Sequence, residues 1–512
     1  MIAYIYTMSY IVATVGLVAW FIFQKNKIGR QASIVFFLGL TAYLGSLWLS
    51  PLNIPMKGFT LMRDLGVMAG VGVLFSIFRH NRFIAAGAFA LLVFGFGTFY
   101  IELLQETIPN NRLFQEETSI EIDEDGELLI EVKEGYQIEQ INTLIEQYEL
   151  SYQVAFNQMA SPDITDLDDY YVVNIPNNQL PYIAKIKADL LATSAIEYIE
   201  NNEIIRLDDQ EGQITTTKKP IILNDPLIQN QWGFEKINAI ETHQLLKNSK
   251  IKPSKRALIA ILDTGVDSKH EDIKGNFKSI NKKYDYDKQA HGTHCAGIAA
   301  AVSYNGTGIA SVVGDNKFVQ VTSVKVLNDN GFGSQKTIIK GILEAADNGA
   351  DVISMSLGGP SSDSRQKVYK KAFDYAKKKG AIIVVAAGNS NANAKDYVPA
   401  GVEGVISVSA VDNNLDRAVF SNYISDVKMG IAAPGVDIFS TLPNNNYGSF
   451  NGTSMACPHV AGVLGLMKSL QPNLTTQAAF DILSTTGINT KSTSETGKFI
   501  QPNAALQAVL NK

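Results

Sequence analysis

The sequence predicts a multi-domain chain. An N-terminal α-helical transmembrane bundle spans 1–104 and a small α+β open sandwich 105–209. A polar linker at 210–222 leads to a C-terminal α/β domain with a parallel sheet at 223–512. Three observations predict this order. Long apolar runs fill residues 1–104. Charge is sharply partitioned: net +5 over 1–104, −19 over 105–212 and +8 over 213–512. From about residue 257, short apolar strands alternate with helical segments, the pattern of a sheet covered on both faces.

Residues 2–23 carry no charge, enough as a helix to cross ~30 Å of hydrocarbon. Uncharged runs at 32–49 and 83–101 follow, and 61–78 is similar apart from Arg63 and Asp64 near its start. Basic residues mark the loops: Lys25, Lys27 and Arg30 in the first, Arg79 and Arg82 in the third, against Lys57 in the second. Loops one and three are therefore expected on the cytoplasmic side, which makes the chain a multi-pass membrane protein with everything after residue 101 extracytoplasmic. No basic segment precedes the first run and no small-residue cleavage site follows it, which argues against a removable signal peptide. Gly66 and Gly70 match a small-xxx-small helix-packing pattern.

In the acidic segment, 128–133 (LLIEVK) and 170–175 (YYVVNI) read as strands. Between them, Ile138, Ile141, Leu144 and Ile145 fall at helical spacing. A second helix pattern at 180–193 runs into SAIEYIENNEIIRL, which ends strand-like. Residues 210–222 (QEGQITTTKKPII) are polar and threonine-rich, a linker composition open to proteolysis.

The last segment carries strands at 257–262, 321–327, 351–357 and 381–387, with helices at 335–348 and 365–379. Reactive groups gather at the carboxyl ends of such strands. Asp263 stands there, directly after ALIAIL; His291 opens a glycine-bearing turn into a helix, and Ser454 another. Pro458 is read as tolerated in the first turn of that helix. The three types make one chemistry. A serine hydroxyl becomes nucleophilic when neutral imidazole takes its proton, and a buried carboxylate fixes the imidazole tautomer. Asn389, after the 381–387 strand, supplies an amide for a developing oxyanion.

At these residues the chain resembles the subtilisin-like serine peptidases, most closely their thermitase-like branch. The motifs are LDTGVD (262–267), HGTHCAGIAAA (291–301), SLGG (356–359), AAGN (386–389) and NGTSMACPHVAG (451–462), and the likeness covers about 223–510. It implies that Asp263 orients, His291 is general base and acid, Ser454 is nucleophile and Asn389 completes the oxyanion hole. It also implies two backbone edges for an extended substrate, Ser356-Leu357-Gly358 and Gly331-Phe332-Gly333. An S1 pocket would lie between 356–358 and 386–388. His294, His459, His243 and His270 read as packing or surface residues. Cys295 and Cys457 lie on the two active-site helices. They fit buried thiols acting as small apolar groups, a disulfide, or a thiol sensitive to mercury-type reagents.

The resemblance further implies a structural Ca²⁺ site built from Asp225, Asp272, the Asn305 side chain and the carbonyls of Val302, Thr307 and Ile309. It gives the acidic segment a role as an inhibitor-type propeptide, with 120–209 as its folded part and SAIEYIENNEIIRL like such a propeptide's last strand. Net −19 against net +8 would favour docking that weakens with salt. Cleavage is expected between roughly Asp209 and Asp225. It would cut the covalent tie to the membrane, so the protease is either released or retained by docking to the tethered propeptide. The function expected is a self-processing, membrane-anchored serine endopeptidase. Its partners would be protein or peptide substrates, its own propeptide and the lipid bilayer; the net charge of −6 argues against nucleic acid. The alternative is a catalytically silent membrane protein whose subtilisin-like domain binds peptides.

Overall fold

The computed structural model describes residues 126–207, 224–248, 250–361 and 363–511, and the strand Gln210–Glu211. In the N-terminal part it describes the helix Lys27–Trp48, scattered helical residues between Ser9 and Trp20, and Leu61. The chain divides into two units, Met1–Ile120 and Glu121–Lys512.

In the first unit, Gly29–Trp48 is long and apolar enough to cross a membrane by length and composition, which fits either a span or a signal anchor. The helix begins earlier than the uncharged run because Lys27 and Arg30 sit in its first turns. It meets the Ser9–Trp20 segment closely: a Cβ on Gly16 would lie 2.6 Å from the Phe36 amide, and one on Gly39 would lie 2.6 Å from the Ala13 amide. Small residues allow that approach. The runs expected at 61–78 and 83–101, with Gly66 and Gly70, lie outside the described residues apart from Leu61.

The second unit is built on a six-stranded parallel sheet. Its order is Gly430–Pro434, Ile406–Val411, Ile382–Ala386, Val352–Met355, Ala257–Asp263 and Val319–Lys325. Strand residues alternate between two apolar clusters. Ile259, Ile261, Val384 and Val408 pack with Ala296, Val460 and Leu464 of the helices His291–Ala300 and Thr453–Leu470. Ala260, Leu262, Ile383 and Val385 pack with Ile338, Ile342, Tyr369 and Phe373 of Gln335–Asp347 and Asp363–Lys378. Burial on both faces explains the near-continuous apolar strands.

The acidic segment folds as a four-stranded antiparallel sheet: Ser151–Val154, Tyr170–Asn174, Leu128–Val132 and Ile196–Asn201. The helices expected at 137–148 and 180–193 each open with a 3₁₀ turn, Ile138–Ile141 and Leu180–Tyr182. They continue as Asn142–Gln147 and Ile183–Leu191. The helical face makes this sheet's own small core. Leu129, Ala155, Phe156, Leu167, Tyr170 and Val172 instead join the apolar cluster of the parallel-sheet domain. Lys371 bridges Glu131 at 2.6 Å and Asp166 at 2.7 Å, and Lys367 Nζ stands 3.5 Å over the Tyr198 ring. At the start of helix Gln335–Asp347, the Lys336 amide donates to Asn202 Oδ1 and the Gln335 amide to the Glu203 carbonyl. A helix end leaves such donors without intrahelical partners. The contact thus combines an apolar patch with charged and polar links.

Candidate active site

Asp263 ends its strand fully buried, and its Oδ1 accepts from His291 Nδ1 at 2.7 Å and from the Thr264 amide at 2.7 Å. That bond puts the imidazole proton on Nδ1 and the lone pair on Nε2. Burial pushes the Asp263 carboxyl up; the His291 ring and the Thr264 amide oppose it. Gly292 lets the helix approach the Asp263 loop: a Cβ there would lie 2.1 Å from the Gly265 carbonyl oxygen and 3.1 Å from Asp263 Cβ.

Asp287 holds the turn before this helix. Its Oδ1 accepts from Thr264 Oγ1 and from the Gln289 and Ala290 amides, and its Oδ2 from the amide and hydroxyl of Thr293. The sequence offered no sign of this role, because a carboxylate a few residues before a helix is common.

Ser454 lies in the first turn of Thr453–Leu470, and its hydroxyl donates to the Ser356 carbonyl at 3.4 Å. Pro458 is not in the first turn, as expected, but one turn further in. Having no N–H, it cannot bond the carbonyl four residues back, which is that of Ser454. Ser356 Oγ at 2.7 Å and Cys295 Sγ at 3.5 Å donate to that oxygen instead. Cys295 is one turn after His291, so this contact sets the starts of the two helices side by side. The Asp263 carboxylate, His291 ring and Cys295 sulfur offer atoms within 4.8 Å of one another.

Asn389 joins the same place. Its carboxamide oxygen accepts from the Thr453 amide at 2.8 Å and hydroxyl at 2.9 Å, which turns the NH₂ group to the opposite edge. Asn422, buried and unremarkable in sequence, shapes the preceding loop. It donates to the Ala387 carbonyl and accepts from the amides of Ser390 and Ala392.

The expected substrate edge Gly331-Phe332-Gly333 is already paired. Ile204–Arg206 runs antiparallel to Phe332–Ser334, with Ile205 opposite Gly333 and Arg206 opposite Phe332, and the Leu207 amide donates to the Gly331 carbonyl. Ile205 is buried, 3.9 Å from where a Cβ on Gly359 would sit, beside the second edge Ser356-Leu357-Gly358. Beyond it, Gln210–Glu211 pairs antiparallel with Phe450 and Asn451, three residues before Ser454. The linker expected at 210–222 therefore begins as a strand.

Asp225 and Asp272 are buried near one loop. Asp225 accepts from the Tyr304 and Asn305 amides, and Asp272 from Asn305 Nδ2 at 2.6 Å and the Ile309 amide at 2.7 Å. The Val302 amide bonds the Asp272 carbonyl, and the Thr307 amide bonds Asn305 Oδ1. The six residues are thus linked around one loop, Val302, Thr307 and Ile309 through their amides, but Asn305 turns its amide nitrogen, not the expected oxygen, to Asp272. Burial pushes Asp272 up to about 7 and raises Asp225.

The other described histidines are buried. Burial pulls His243 and His459 down to about 4 and lowers His270. Cys295 and Cys457 are buried thiols, not a disulfide. Cys457 packs on Ser354, and burial pushes its thiol up to about 12.

The subtilase family model matches residues 254–504, which hold Asp263, His291, Asn389 and Ser454. Thermitase of Thermoactinomyces vulgaris is 43% identical over 252 residues, covering 48% of this chain and 85% of the relative. The chain belongs to the subtilase family. Subtilisin DY of Bacillus licheniformis is 41% identical over 256 residues, 49% of this chain and 90% of that one. M-protease of Shouchella clausii (strain KSM-K16) is 31% identical over 353 residues, 67% of this chain and 83% of that one. A solved protease structure from Pseudoalteromonas arctica PAMC 21717 covers 56% of this chain and all of its own at 30% identity, TM-score 0.49. As a subtilase related to thermitase and subtilisin, the chain is a serine endopeptidase.

Proposed function

We propose that this subtilase is made as a membrane-anchored, self-inhibited precursor that cuts its own chain between Leu207 and Gln210. The observation that carries this reading is the pairing of Ile204–Arg206 and Gln210–Glu211. Ile204–Arg206 lies on Phe332–Ser334, and Gln210–Glu211 lies on the strand leading to Ser454. A substrate bound by strand addition takes such a path on both sides of a nucleophile. The junction falls at the upstream edge of the 209–225 range expected from composition.

The Asp263–His291 bond and membership of the subtilase family support the following chemistry. His291 Nε2 takes the Ser454 proton as Oγ attacks the carbonyl, while Asp263 stabilises the imidazolium without itself being protonated. The charge on the tetrahedral oxygen is met by the Asn389 amide and by the Ser454 N–H, one of the orphan donors of its helix start. His291 then gives its proton to the leaving amine, and water repeats the sequence on the acyl-enzyme. Labelling Ser454 with a fluorophosphonate in processed protein tests this; no labelling would leave a peptide-binding domain.

The acidic segment acts as the inhibitory propeptide, supported by the apolar contact it shares with the catalytic domain. The match to M-protease, too long to fit within 223–512, also supports it. The N-terminal helices act as the membrane anchor, on the strength of Gly29–Trp48 and the basic-residue pattern. After the cut, docking to the tethered propeptide holds the protease at the membrane.

Asp225, Asp272, Asn305 and the carbonyls of Val302, Thr307 and Ile309 fit a Ca²⁺ ion. Two buried carboxylates share this loop, and among the described residues no cationic side chain pairs with either. Turning the Asn305 carboxamide over would offer its oxygen. A bound ion would neutralise both acids and tie residue 225 to the core. Calcium should raise the melting temperature of wild-type protein but not of Asp272→Asn; equal responses would remove the site.

A further inference from the structure

The edge strand that holds Ile204–Arg206 contains one side chain between two glycines. Gly331 has φ +82, and a Cβ on Gly333 would lie 2.3 Å from the Val326 carbonyl oxygen, so neither position readily accepts a larger residue. Phe332 is therefore where this edge can express a side-chain preference. Arg206 is paired with it across the ladder, and the guanidinium carbon stands 4.7 Å from the Phe332 ring centroid. Its neighbours behave differently: Ile205 is buried in the apolar cluster and Leu207 packs against Gly331 and the same cluster, while Arg206 is exposed. Alternate residues of a strand face opposite sides. The bound segment thus presents two apolar anchors with a cation between them on an aromatic face.

We propose that Phe332 is a specificity-determining residue that selects a basic side chain, arginine above lysine, at the substrate position occupied by Arg206. The favoured substrates are peptides with an aliphatic–basic–aliphatic triplet on the acyl side of the cut. A planar guanidinium stacks on a ring face and is weakly hydrated, whereas an ammonium holds its water more tightly. The proposal rests on reading 204–207 as lying in the cleft the way a substrate does.

The test uses processed enzyme and quenched peptides spanning residues 203–212, with arginine, lysine or glutamine at position 206. The wild type should cleave the arginine peptide with a kcat/KM about two- to fivefold above the glutamine peptide, with lysine between them. In Phe332→Leu and Phe332→Ser that ratio should fall to about one. Equal cleavage by the wild type, or a preference surviving in both variants, overturns the proposal. A further peptide carrying Ile205→Asp separates the two readings. If it is cleaved much more slowly while arginine and glutamine are equal, the cleft assignment stands and only the role of Phe332 fails. If it is cleaved as fast, the cleft assignment fails as well.

Discussion

Ser356 and Ser454 are bonded to each other twice: the Ser356 hydroxyl donates to the Ser454 carbonyl at 2.7 Å, and the Ser454 hydroxyl donates to the Ser356 carbonyl at 3.4 Å. The first bond exists because Pro458 supplies no amide to that carbonyl. Ser356→Ala should therefore destabilise the protein by about 1–3 kcal/mol, the cost of a buried acceptor losing its main partner. In a Pro458→Ala background the helix amide would satisfy the same oxygen, so the effect of Ser356→Ala should shrink. Thermal melts of the four combinations, made in Ser454→Ala protein to prevent self-digestion, give the coupling; additive effects would contradict it.

Asn389 is aimed by Thr453. Asn389→Ala should lower kcat by about 10²–10³ with little change in KM, the magnitude known for one such donor in subtilisin. Thr453→Val keeps the amide bond and loses the hydroxyl bond, so a drop of about fivefold is expected. Steady-state kinetics on a peptide substrate check both; a larger loss in Thr453→Val than in Asn389→Ala would reverse the assignment.

Lys371 makes ion pairs between the catalytic domain and the acidic segment, with Glu131 and with Asp166. Removing it leaves Glu131 without its cation, at a cost on the order of 1–3 kcal/mol, or about five- to 150-fold in docking. After processing, more protease should appear in the soluble fraction for Lys371→Ala than for wild type. High salt should release wild-type protease only partly, because part of the contact is apolar. Complete release of wild type by salt alone would show that charge dominates.

His459 sets a pH dependence. Its Nδ1 donates to the Met455 carbonyl at 2.9 Å, and burial pulls the ring down to about 4 from the usual 6.5. Between those values the unfolded chain binds a proton that the folded chain does not. Stability is therefore full above pH 6.5 and falls as pH drops towards 4, by at most about 3 kcal/mol from this residue. Denaturant midpoints across this range should flatten in His459→Gln; an unchanged slope would assign the loss to other groups.

The parallel sheet and its reactive residues were readable because their signals are local. ALIAIL ends one residue before Asp263, and Gly292 after His291 and Gly452 before Ser454 mark helix starts. The strand Ser151–Val154 is hard to read, because it has only 4 residues and they are largely exposed. The strands Ile406–Val411 and Gly430–Pro434 carry weaker signals, because serine and alanine interrupt the first and glycine, alanine and proline the second. Gln210–Glu211 looked like linker because its partners, Phe450 and Asn451, lie some 240 residues further on. Asp287 and Asn422 act through backbone amides, and no spacing rule marks such a role.

N-terminal sequencing of purified active protein, beside Ser454→Ala, tests the central claim most directly. The wild type should yield a catalytic fragment beginning at Asp208, Asp209 or Gln210, with Ser454→Ala remaining full length. A fragment starting well beyond Glu211, or a Ser454→Ala protein cut at the same bond, would contradict self-processing through the strand that lies in the cleft.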